Sequence, residues 1–594
     1  MDDQNKNLIL AVALSMLVIL AWSTFFPPPD VPPEDLVQSA PESQLADDGE
    51  AVVPQTAGET EEVTAPAAPV ADAPRIRIEN SHVVGTLSLA GGRIDELSLK
   101  NYRRELEPDS DIVQLLRPRG ADGAYYALYG WAPGAGLSLE TVPGPNTVWQ
   151  LESGEALTPG SPVTLTWDNG AGLTFRRTIS LDDDYMFNVS QSVRNTGSGT
   201  VSLAPYGTIA RKGEPEDLKN FFILHEGAVR LVDGELTETD YGDFEPAGQH
   251  EEITVTDAGW TGFTDHYWMA TLIADQPGTE FTGFHDTRRD IYQTTAKLDT
   301  KTLAPGESAE VETRLFAGAK EWDTIRTYQN EQNVPKFIDS IDWGWFYFIT
   351  KPMFWLLHNL NVMIGNMGWA IIALTFVIKL ILFPLAYKSY SSMAKMKELQ
   401  PEMEKIKEQA GDDRQKLQQE MMALYKKEKV NPAAGCLPIL LQIPIFFSLY
   451  KVIFVTLELR HAPWIGWIRD LSAPDSSSIY NFFGLLPWAA PEPGSILALV
   501  FIGILPLLLG VSMWLQQKLN PAPTDPIQQQ IFAWMPWVFM FMLGSFASGL
   551  VIYWIANNTI TFTQQYLIMR SQGYKPDVFG NIKSSFKRKP KEDG

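Results

Sequence analysis

The chain has 594 residues, of which 47 are basic and 71 acidic, so its formal net charge at neutral pH is −24. Such a length predicts several domains. The single cysteine, Cys436, excludes an intramolecular disulfide, and we interpret it as a small residue at a helix contact. Residues 27–340 contain 23 Lys/Arg and 52 Asp/Glu, a balance of −29, which leaves +5 for the rest. A single soluble globule would not need this division, so the two portions are expected to face different surroundings.

The N-terminal residues predict a membrane anchor followed by a tether. Residues 8–26, LILAVALSMLVILAWSTFF, are long enough to cross a hydrocarbon core of about 30 Å. Lys6 precedes this run, and no cleavage pattern of small residues follows it. Residues 1–26 therefore predict an uncleaved signal-anchor helix with its N-terminus inside. Residues 27–74, rich in Pro, Ala and acidic residues, predict a disordered tether because they contain too little apolar sequence to fold.

Residues 75–330 predict a large antiparallel β-sandwich. Short β-branched and aromatic runs such as RIRIEN and YMFNVSQSV alternate with turn sequences such as Asp-Asn-Gly. No helical pattern separates these runs, which favours antiparallel pairing. The pairs Asp265-His266 and His285-Asp286 are interpreted as ordinary loop residues, because no Cys/His cluster, GxSxG motif or phosphate loop accompanies them. The sequence predicts no catalytic residues, cofactor or metal site here.

The remaining sequence is typical of a polytopic helical membrane protein. Residues 335–364 are dense in Trp, Phe and Tyr, which prefer the headgroup level, and predict an amphipathic helix on the outer membrane surface. A buried aromatic core helix is the alternative. Five apolar stretches follow, and membrane helices tolerate the prolines that interrupt them. They cover approximately 368–387, 435–456, 495–515, 531–547 and 549–567. With the N-terminal anchor they predict six crossings, the last two joined by a tight turn near Ser545–Ser548.

The distribution of basic residues predicts the orientation. Loop 388–430 contains ten Lys/Arg and the tail from Arg570 contains seven, whereas loop 457–494 contains two, outnumbered by four acids. Because positive loops stay in the cytoplasm, both termini are predicted to be cytoplasmic and residues 27–340 periplasmic. This topology is that of a multi-pass protein of the bacterial inner membrane.

The cytoplasmic loop 388–430 predicts a helical hairpin. Its apolar residues recur at intervals of three and four on both sides of a turn at 410–413. Met393, Met396 and Met403 predict either an adaptable docking face for partners or a zipper between the two helices. In the basic tail, residues 571–594, a cluster of Lys587, Arg588 and Lys589 is suited to ribosomal RNA or anionic lipid.

A single lysine interrupts the apolar run ALTFVIKLILFPL at residues 373–385. Thr375 lies four residues before Lys379, on the same helical face. About 12 Å of helix separates Lys379 from Tyr387 at the predicted cytoplasmic end. A lysine stem spans about half of that distance, so snorkelling to the inner surface is an alternative to an interior role.

Other crossings carry polar residues at a similar depth. Gln442 lies in the third crossing, and the last crossing carries a stripe of Tyr553, Asn557, Asn558 and Thr561. Each unsatisfied polar group in hydrocarbon costs several kcal/mol, so these residues predict a shared hydrated cavity that holds one positive charge. Interhelical hydrogen bonds that only hold the bundle together are the alternative. The crossings contain no carboxylate, which argues against ion pumping.

Several motifs are similar to those of one family. NPAAGCLPILLQIPIFFSLY (431–450), the hairpin at 392–432, DPIQQQIFAWMP and SGLVIYW resemble the YidC/Oxa/Alb insertase family. The resemblance implies a five-helix core, residues 365–570, enclosing a hydrophilic groove open to the cytoplasm and to lipid. It also implies nascent inner-membrane proteins as clients, and the Sec translocon, the ribosome and targeting factors as partners.

Two positions depart from the family pattern. Lys379 stands where bacterial members usually have arginine, so the charge is kept without the planar five-donor fork. Trp554 stands where a second tyrosine is common after Tyr553. Two other functional classes stay open from sequence, a solute transporter or channel and a membrane-anchored periplasmic carbohydrate-processing protein.

Overall fold

The computed structural model describes residues 73–219, 224–247, 249–411, 413–428, 430, 437–483, 485–491, 495, 497, 500–520 and 526–574. The predicted N-terminal anchor and nearly all of the tether lie outside these ranges. So do Cys436 and the tail residues Lys587, Arg588 and Lys589.

The first part of the described chain is built of strands. Local alternation accounts for many of them: in LTFRRTISL, residues 173–181, every second side chain is buried. The strands are β1 Arg75–Glu79, β2 Val83–Ser88, β3 Arg93–Arg103, β4 Ile112–Leu116, β5 Tyr125–Pro133, β6 Gln150–Ser153, β7 Ala156–Leu157, β8 Val163–Asp168, β9 Leu173–Leu181, β10 Met186–Asn195, β11 Val201–Lys212, β12 Gly227–Val232, β13 Glu235–Asp240, β14 Ile253–Thr254, β15 Gly259–Thr264, β16 Trp268–Ala274, β17 Glu280–Asp286, β18 Ile291–Lys297, β19 Lys301–Leu303 and β20 Ser308–Ala319.

These strands form two large sheets. One follows the order β14-β17-β18-β11-β5-β3-β2-β1-β7, with β19 beside β11 and β4 beside β3. The other follows β13-β12-β15-β16-β20-β10-β9-β8-β6. Neighbours are antiparallel, as in β10 with β20, whereas β1 and β7 pair in parallel. The predicted antiparallel β-sandwich is confirmed.

A buried arginine ties the two sheets together. Arg177 of β9 donates to the carbonyl oxygens of Gly91 at 3.1 Å and Tyr129 at 2.6 Å. Its guanidinium also lies 4.4 Å from the centre of the Trp149 ring. Burial lowers the pKa of Arg177 to about 10, so the side chain stays charged at neutral pH. Charge-assisted hydrogen bonds of this kind offset the cost of burying a cation.

The second part of the described chain is helical. The helices are α1 Trp322–Asn330, α2 Tyr347–Ile364, α3 Met367–Ile381, α4 Phe383–Glu398, α5 Gln400–Ala410, α6 Arg414–Lys427, α7 Leu437–Val455, α8 Ile504–Leu519, α9 Pro526–Met542 and α10 Ser548–Ser571. By length and composition, no single helix in the described ranges is long and apolar enough to cross a membrane. The pair α3 and α4 passes that test together.

The helices depart from the predicted stretches in three ways. The stretch predicted at 368–387 is not one helix, because α3 ends at Ile381 and α4 continues at an angle of 69°. Pro384, in the first turn of α4, accounts for the break, since proline lacks the amide hydrogen that a continuing helix needs. In the stretch predicted at 495–515, residues 501–503 are not helical, and α8 begins at Ile504. The last two helices are joined by a short connection, but α10 packs mainly against α8 and α3.

Polar contacts attach the sandwich to the helices. The His266 ring, next to β15, donates from Nε2 to the carbonyl oxygen of Phe454 in α7 at 2.7 Å, and the two rings stack. Burial lowers the pKa of His266 to about 3, so this ring is neutral. Arg460 follows α7 in the chain, and its guanidinium donates to the carbonyl oxygen of Arg103 at 2.6 Å. Asp265 and His266 thus have structural partners, as Asp265 is paired with Arg211 at 2.6 Å.

Candidate functional site

A chain of polar side chains joins three helices. The Lys379 ammonium of α3 donates to Oε1 of Gln442 in α7 at 3.3 Å. The Gln442 amide nitrogen then donates to the hydroxyl oxygen of Tyr553 in α10 at 2.5 Å. Gln442 uses both ends of its amide, so it orients the lysine and the tyrosine at once. We call Lys379, Gln442 and Tyr553 the polar cluster.

The polar cluster carries one net positive charge. Within the described residues, no carboxylate forms an ion pair with Lys379, and its hydrogen-bond partner is neutral. On the same helix Phe376, Leu380 and Ile381 are exposed, so apolar side chains surround the lysine stem on its outer side. Tyr553 is buried. Since opposite charges attract more strongly in a poorly screened environment, the cluster is suited to attract acidic groups.

Two of the predicted groove residues lie apart from this cluster. Thr375 is 1 % exposed, and its hydroxyl donates to the carbonyl oxygen of Ile371 in its own helix at 2.8 Å. Trp554 stacks on Phe446 of α7, with ring centres 5.3 Å apart, and meets the Phe546 ring edge-on. Threonine in a helix often satisfies its hydroxyl in this way, which removes it from contact with a partner.

A second line of polar contacts runs between α10 and α8. The Asn558 amide donates to the Ser512 hydroxyl at 3.1 Å, and the Gln565 amide donates to Asn520 Oδ1 at 3.1 Å. Asn557 donates weakly to Asn558 at 3.4 Å. Ser512 and Asn520 were not among the residues predicted from the sequence. Ser512 and Asn520 are eight residues apart, close to the seven between Asn558 and Gln565. This matched spacing on two helices was the sequence feature that could have indicated the two contacts.

Some polar atoms on α10 are buried without a hydrogen bond. Within the described part of the chain, these include Asn557 Oδ1 and the Thr561 hydroxyl. Such groups are costly in a dry environment and are satisfied at little cost by water. The polar face of α10 is therefore suited to a hydrated site.

An apolar cavity of about 400 Å³ adjoins the polar contacts. It lies among α7, α8, α9 and α10. Its lining is mainly aromatic and aliphatic, with Asn558 as a polar exception: Phe446, Phe447, Tyr450, Leu509, Met513, Phe539, Met542, Leu543, Phe546, Trp554 and Asn558. An apolar segment fits such a lining without leaving polar groups unpaired.

The helical hairpin of α5 and α6 is held at its base, through α4, by α10. Met393 is buried with Tyr390 and Ile568, and Met403 is also buried. Met396 is half-buried. In this arrangement Met393 and Met403 serve helix packing, and a partner would reach them only if the hairpin opened.

Comparison with known proteins identifies the family. Residues 75–356 match the model described as YidC periplasmic domain, and residues 359–575 match the model described as 60Kd inner membrane protein. A protein of Ruegeria pomeroyi named "Membrane protein insertase YidC" is 65% identical over the full length of both chains. Proteins with the same name in Roseobacter denitrificans and Dinoroseobacter shibae are 63% and 62% identical, again over full length. This chain belongs to the YidC family.

Membership confirms the resemblance drawn from the sequence motifs. A solved structure of an active YidC insertase covers 84% of this chain at 16% identity, with a TM-score of 0.35, so the assignment to YidC rests on the sequence relatives. Lys379, Gln442 and Tyr553 all fall in the 359–575 match, and the sandwich falls in the periplasmic-domain match. The polar cluster therefore belongs to the inner-membrane part of a YidC protein.

Proposed function

We propose that this chain is a membrane protein insertase and chaperone of the bacterial inner membrane. The observation that carries the proposal is the polar cluster, an ammonium held by a neutral amide where three helices meet. The full-length relatives named as insertases support the same conclusion. No covalent step is required, so the activity is binding and release of a client segment.

The polar cluster would receive the hydrophilic segment of a client. A polar chain that crosses hydrocarbon loses hydrogen bonds from its backbone, which costs several kcal/mol per unsatisfied group. Water and side chains around Lys379, Asn557 and Thr561 would shorten that dry passage. An acidic segment gains more, because no carboxylate in the described part of the chain pairs with Lys379.

The apolar cavity would receive the hydrophobic segment of the same client. The cavity adjoins the polar contacts at Asn558, so a client placed there has polar and apolar partners at once. Thr375 and Trp554 would act indirectly in this scheme. Thr375 packs inside the bundle, and Trp554 shapes the cavity wall through its ring contacts.

The proposal includes the topology predicted from charge. Six crossings would place both termini in the cytoplasm and residues 27–340 in the periplasm, with residues 1–26 as the first anchor. Helix α2 would lie on the outer membrane surface, where its exposed aromatic side chains, Tyr347, Phe348 and Trp355, meet the headgroup level.

We further propose that the cytoplasmic parts meet the targeting machinery. The hairpin at 388–430 and the tail residues Lys587, Arg588 and Lys589 carry basic side chains suited to ribosomal RNA. The Sec translocon is the second proposed partner, for clients too large for the groove alone. Chaperone action would follow from shielding apolar client segments beside the cavity.

The proposal is tested with the purified chain in phospholipid vesicles. A single-crossing client is synthesised outside, and its protection from protease is compared between loaded and empty vesicles. Insertion that depends on the chain, without increased flux of small solutes, is the expected result. Solute flux without insertion would support a transporter or channel and contradict the proposal.

A further inference from the structure

The connection between α7 and α8 contains a long uncharged segment. Residues 476–491, SSSIYNFFGLLPWAAP, contain no Asp, Glu, Lys or Arg, although Asp475 and Glu492 flank them. Loops that face water on both sides rarely avoid charge over such a length. We call residues 479–483 and 485–488 the apolar tip.

Internal hydrogen bonds fix the shape of the apolar tip. The Trp488 indole donates to the carbonyl oxygen of Tyr480 at 3.0 Å, and the Phe483 amide donates to the carbonyl of Ser478 at 2.8 Å. The Leu486 amide donates to the carbonyl of Asn481 at 3.0 Å. Several main-chain and indole groups are thus satisfied inside the loop, which lowers the cost of a water-poor environment.

Two consecutive phenylalanines adopt the left-handed backbone conformation. Phe482 has φ 48° and Phe483 has φ 60°. The left-handed backbone conformation is unfavourable for a bulky residue. Such strain is tolerated where the resulting direction of the side chains has a role. The role here is the outward display of apolar groups, since Phe482 is 57 % and Leu485 77 % exposed.

The tip is attached to the first turn of α8. Oδ2 of Asp475 accepts from the Leu505 amide at 2.8 Å, and the Ser477 hydroxyl accepts from the Ile504 amide at 2.9 Å. These two acceptors satisfy amides that the start of a helix leaves free. The position of the tip and the position of α8 are therefore coupled.

We propose that the apolar tip is buried in the outer leaflet of the bilayer and fixes the depth at which α8 enters it. The occupant of this surface is the headgroup and upper acyl region of phospholipid. Tyr480 and Trp488 are the residue types enriched at that level, and the absence of charge removes the main cost of entry. The inference rests on the proposed function, because it takes α8 as a membrane crossing.

The test uses the full chain with nitroxide labels on single cysteines. Cys436→Ser removes the native cysteine, and Leu485→Cys, Leu508→Cys or Leu139→Cys then places one label on the tip, on α8 or on the sandwich. All three leucines are exposed side chains, so labels are accommodated without repacking. After reconstitution in phosphatidylethanolamine and phosphatidylglycerol vesicles, relaxation by oxygen, which concentrates in lipid, is compared with relaxation by a nickel chelate, which stays in water.

Oxygen is expected to relax the labels at 485 and 508 more than the nickel chelate does, with the reverse at 139. If the label at 485 behaves like the label at 139 while 508 remains lipid-exposed, the tip lies in water and the inference is wrong. If the label at 485 is shielded from both reagents, a protein contact covers the tip and the inference is equally wrong. If the label at 508 is itself exposed to nickel, the proposed crossing by α8 fails, which is a separate result.

Discussion

Lys379 and Gln442 meet through a single hydrogen bond of 3.3 Å between an ammonium group and an amide oxygen. The pairing orients the lysine without neutralising it. A carboxylate at the same position would hold the lysine more firmly but would cancel the charge offered to a client. The neutral partner is therefore central to the proposed mechanism.

Gln442→Glu should abolish the preference for acidic client segments. A carboxylate about 4 Å from the ammonium interacts by roughly 4 kcal/mol at an effective dielectric constant of 20, so it would displace a client's acid. Insertion of a client with an acidic tail should fall about tenfold or more, a change of at least ~1.4 kcal/mol. Insertion of the same client with a neutral tail should change little. Gln442→Met, of similar size, removes the hydrogen bonds to Lys379 and Tyr553 without adding a charge, so it is the control and should keep the preference for acidic over neutral tails.

Gly368→Ala should destabilise the start of α3. A methyl group there would overlap the ring of Trp464, and a rigid indole cannot move aside without shifting the outer connection. Overpacking of this kind costs about 1–3 kcal/mol. The thermal unfolding midpoint in detergent should fall for Gly368→Ala. Gly510→Ala is the matched control, because its methyl group would meet the flexible side chain of Met540 at 2.8 Å. An equal loss in both variants would contradict this account.

A histidine clamp between α2, α1 and the segment after α7 should loosen as pH rises. His358 of α2 lies 3.0 Å from Glu458, after α7, and 3.5 Å from Asp323 of α1. The hydrogen bond to Glu458 raises the pKa of His358, although partial burial and Arg326 oppose the shift. Because the folded pKa lies above the unfolded value of about 6.5, the stabilisation is complete below that value and is lost as pH rises through the folded pKa.

Hydrogen exchange of α1 measures the effect of the clamp. Protection should decrease from pH 6 to pH 8 in the natural chain, after correction for the intrinsic exchange rate. In His358→Gln, which keeps a hydrogen-bond donor but cannot be charged, that decrease should disappear. His266 does not interfere, since its pKa of about 3 keeps it neutral over this range. A pH dependence that persists in His358→Gln would assign the effect to another group.

The sandwich could be predicted from sequence because its signal is local. In segments such as residues 173–181, alternation of buried and exposed side chains is visible within nine residues. The helix bend at Leu382 has a local signal in Pro384, but its angle of 69° depends on packing and could not be predicted. The order of helices around α10 is likewise a tertiary property, which no periodicity contains.

The site was predictable in part, because polar residues within apolar segments are visible in the local sequence. Polar residues at one depth in three predicted crossings indicated that Lys379, Gln442 and Tyr553 meet. Helical spacing alone also placed Thr375 beside Lys379, but its hydroxyl bonds to Ile371 within its own helix. Ser512 was missed because a single serine in an apolar helix is unremarkable until its partner, Asn558, is seen beside it.

Lys379 should act as a working positive charge during insertion. Cells depleted of their own insertase are supplied with this chain carrying Lys379→Ala, Lys379→Arg or Lys379→Glu. Protease accessibility of a short translocated tail is then measured, once with acidic residues in the tail and once without. Lys379→Ala and Lys379→Glu should block the acidic tail, while Lys379→Arg should restore it. Normal insertion of both tails by all three variants would show that the charge of Lys379 has no role in insertion.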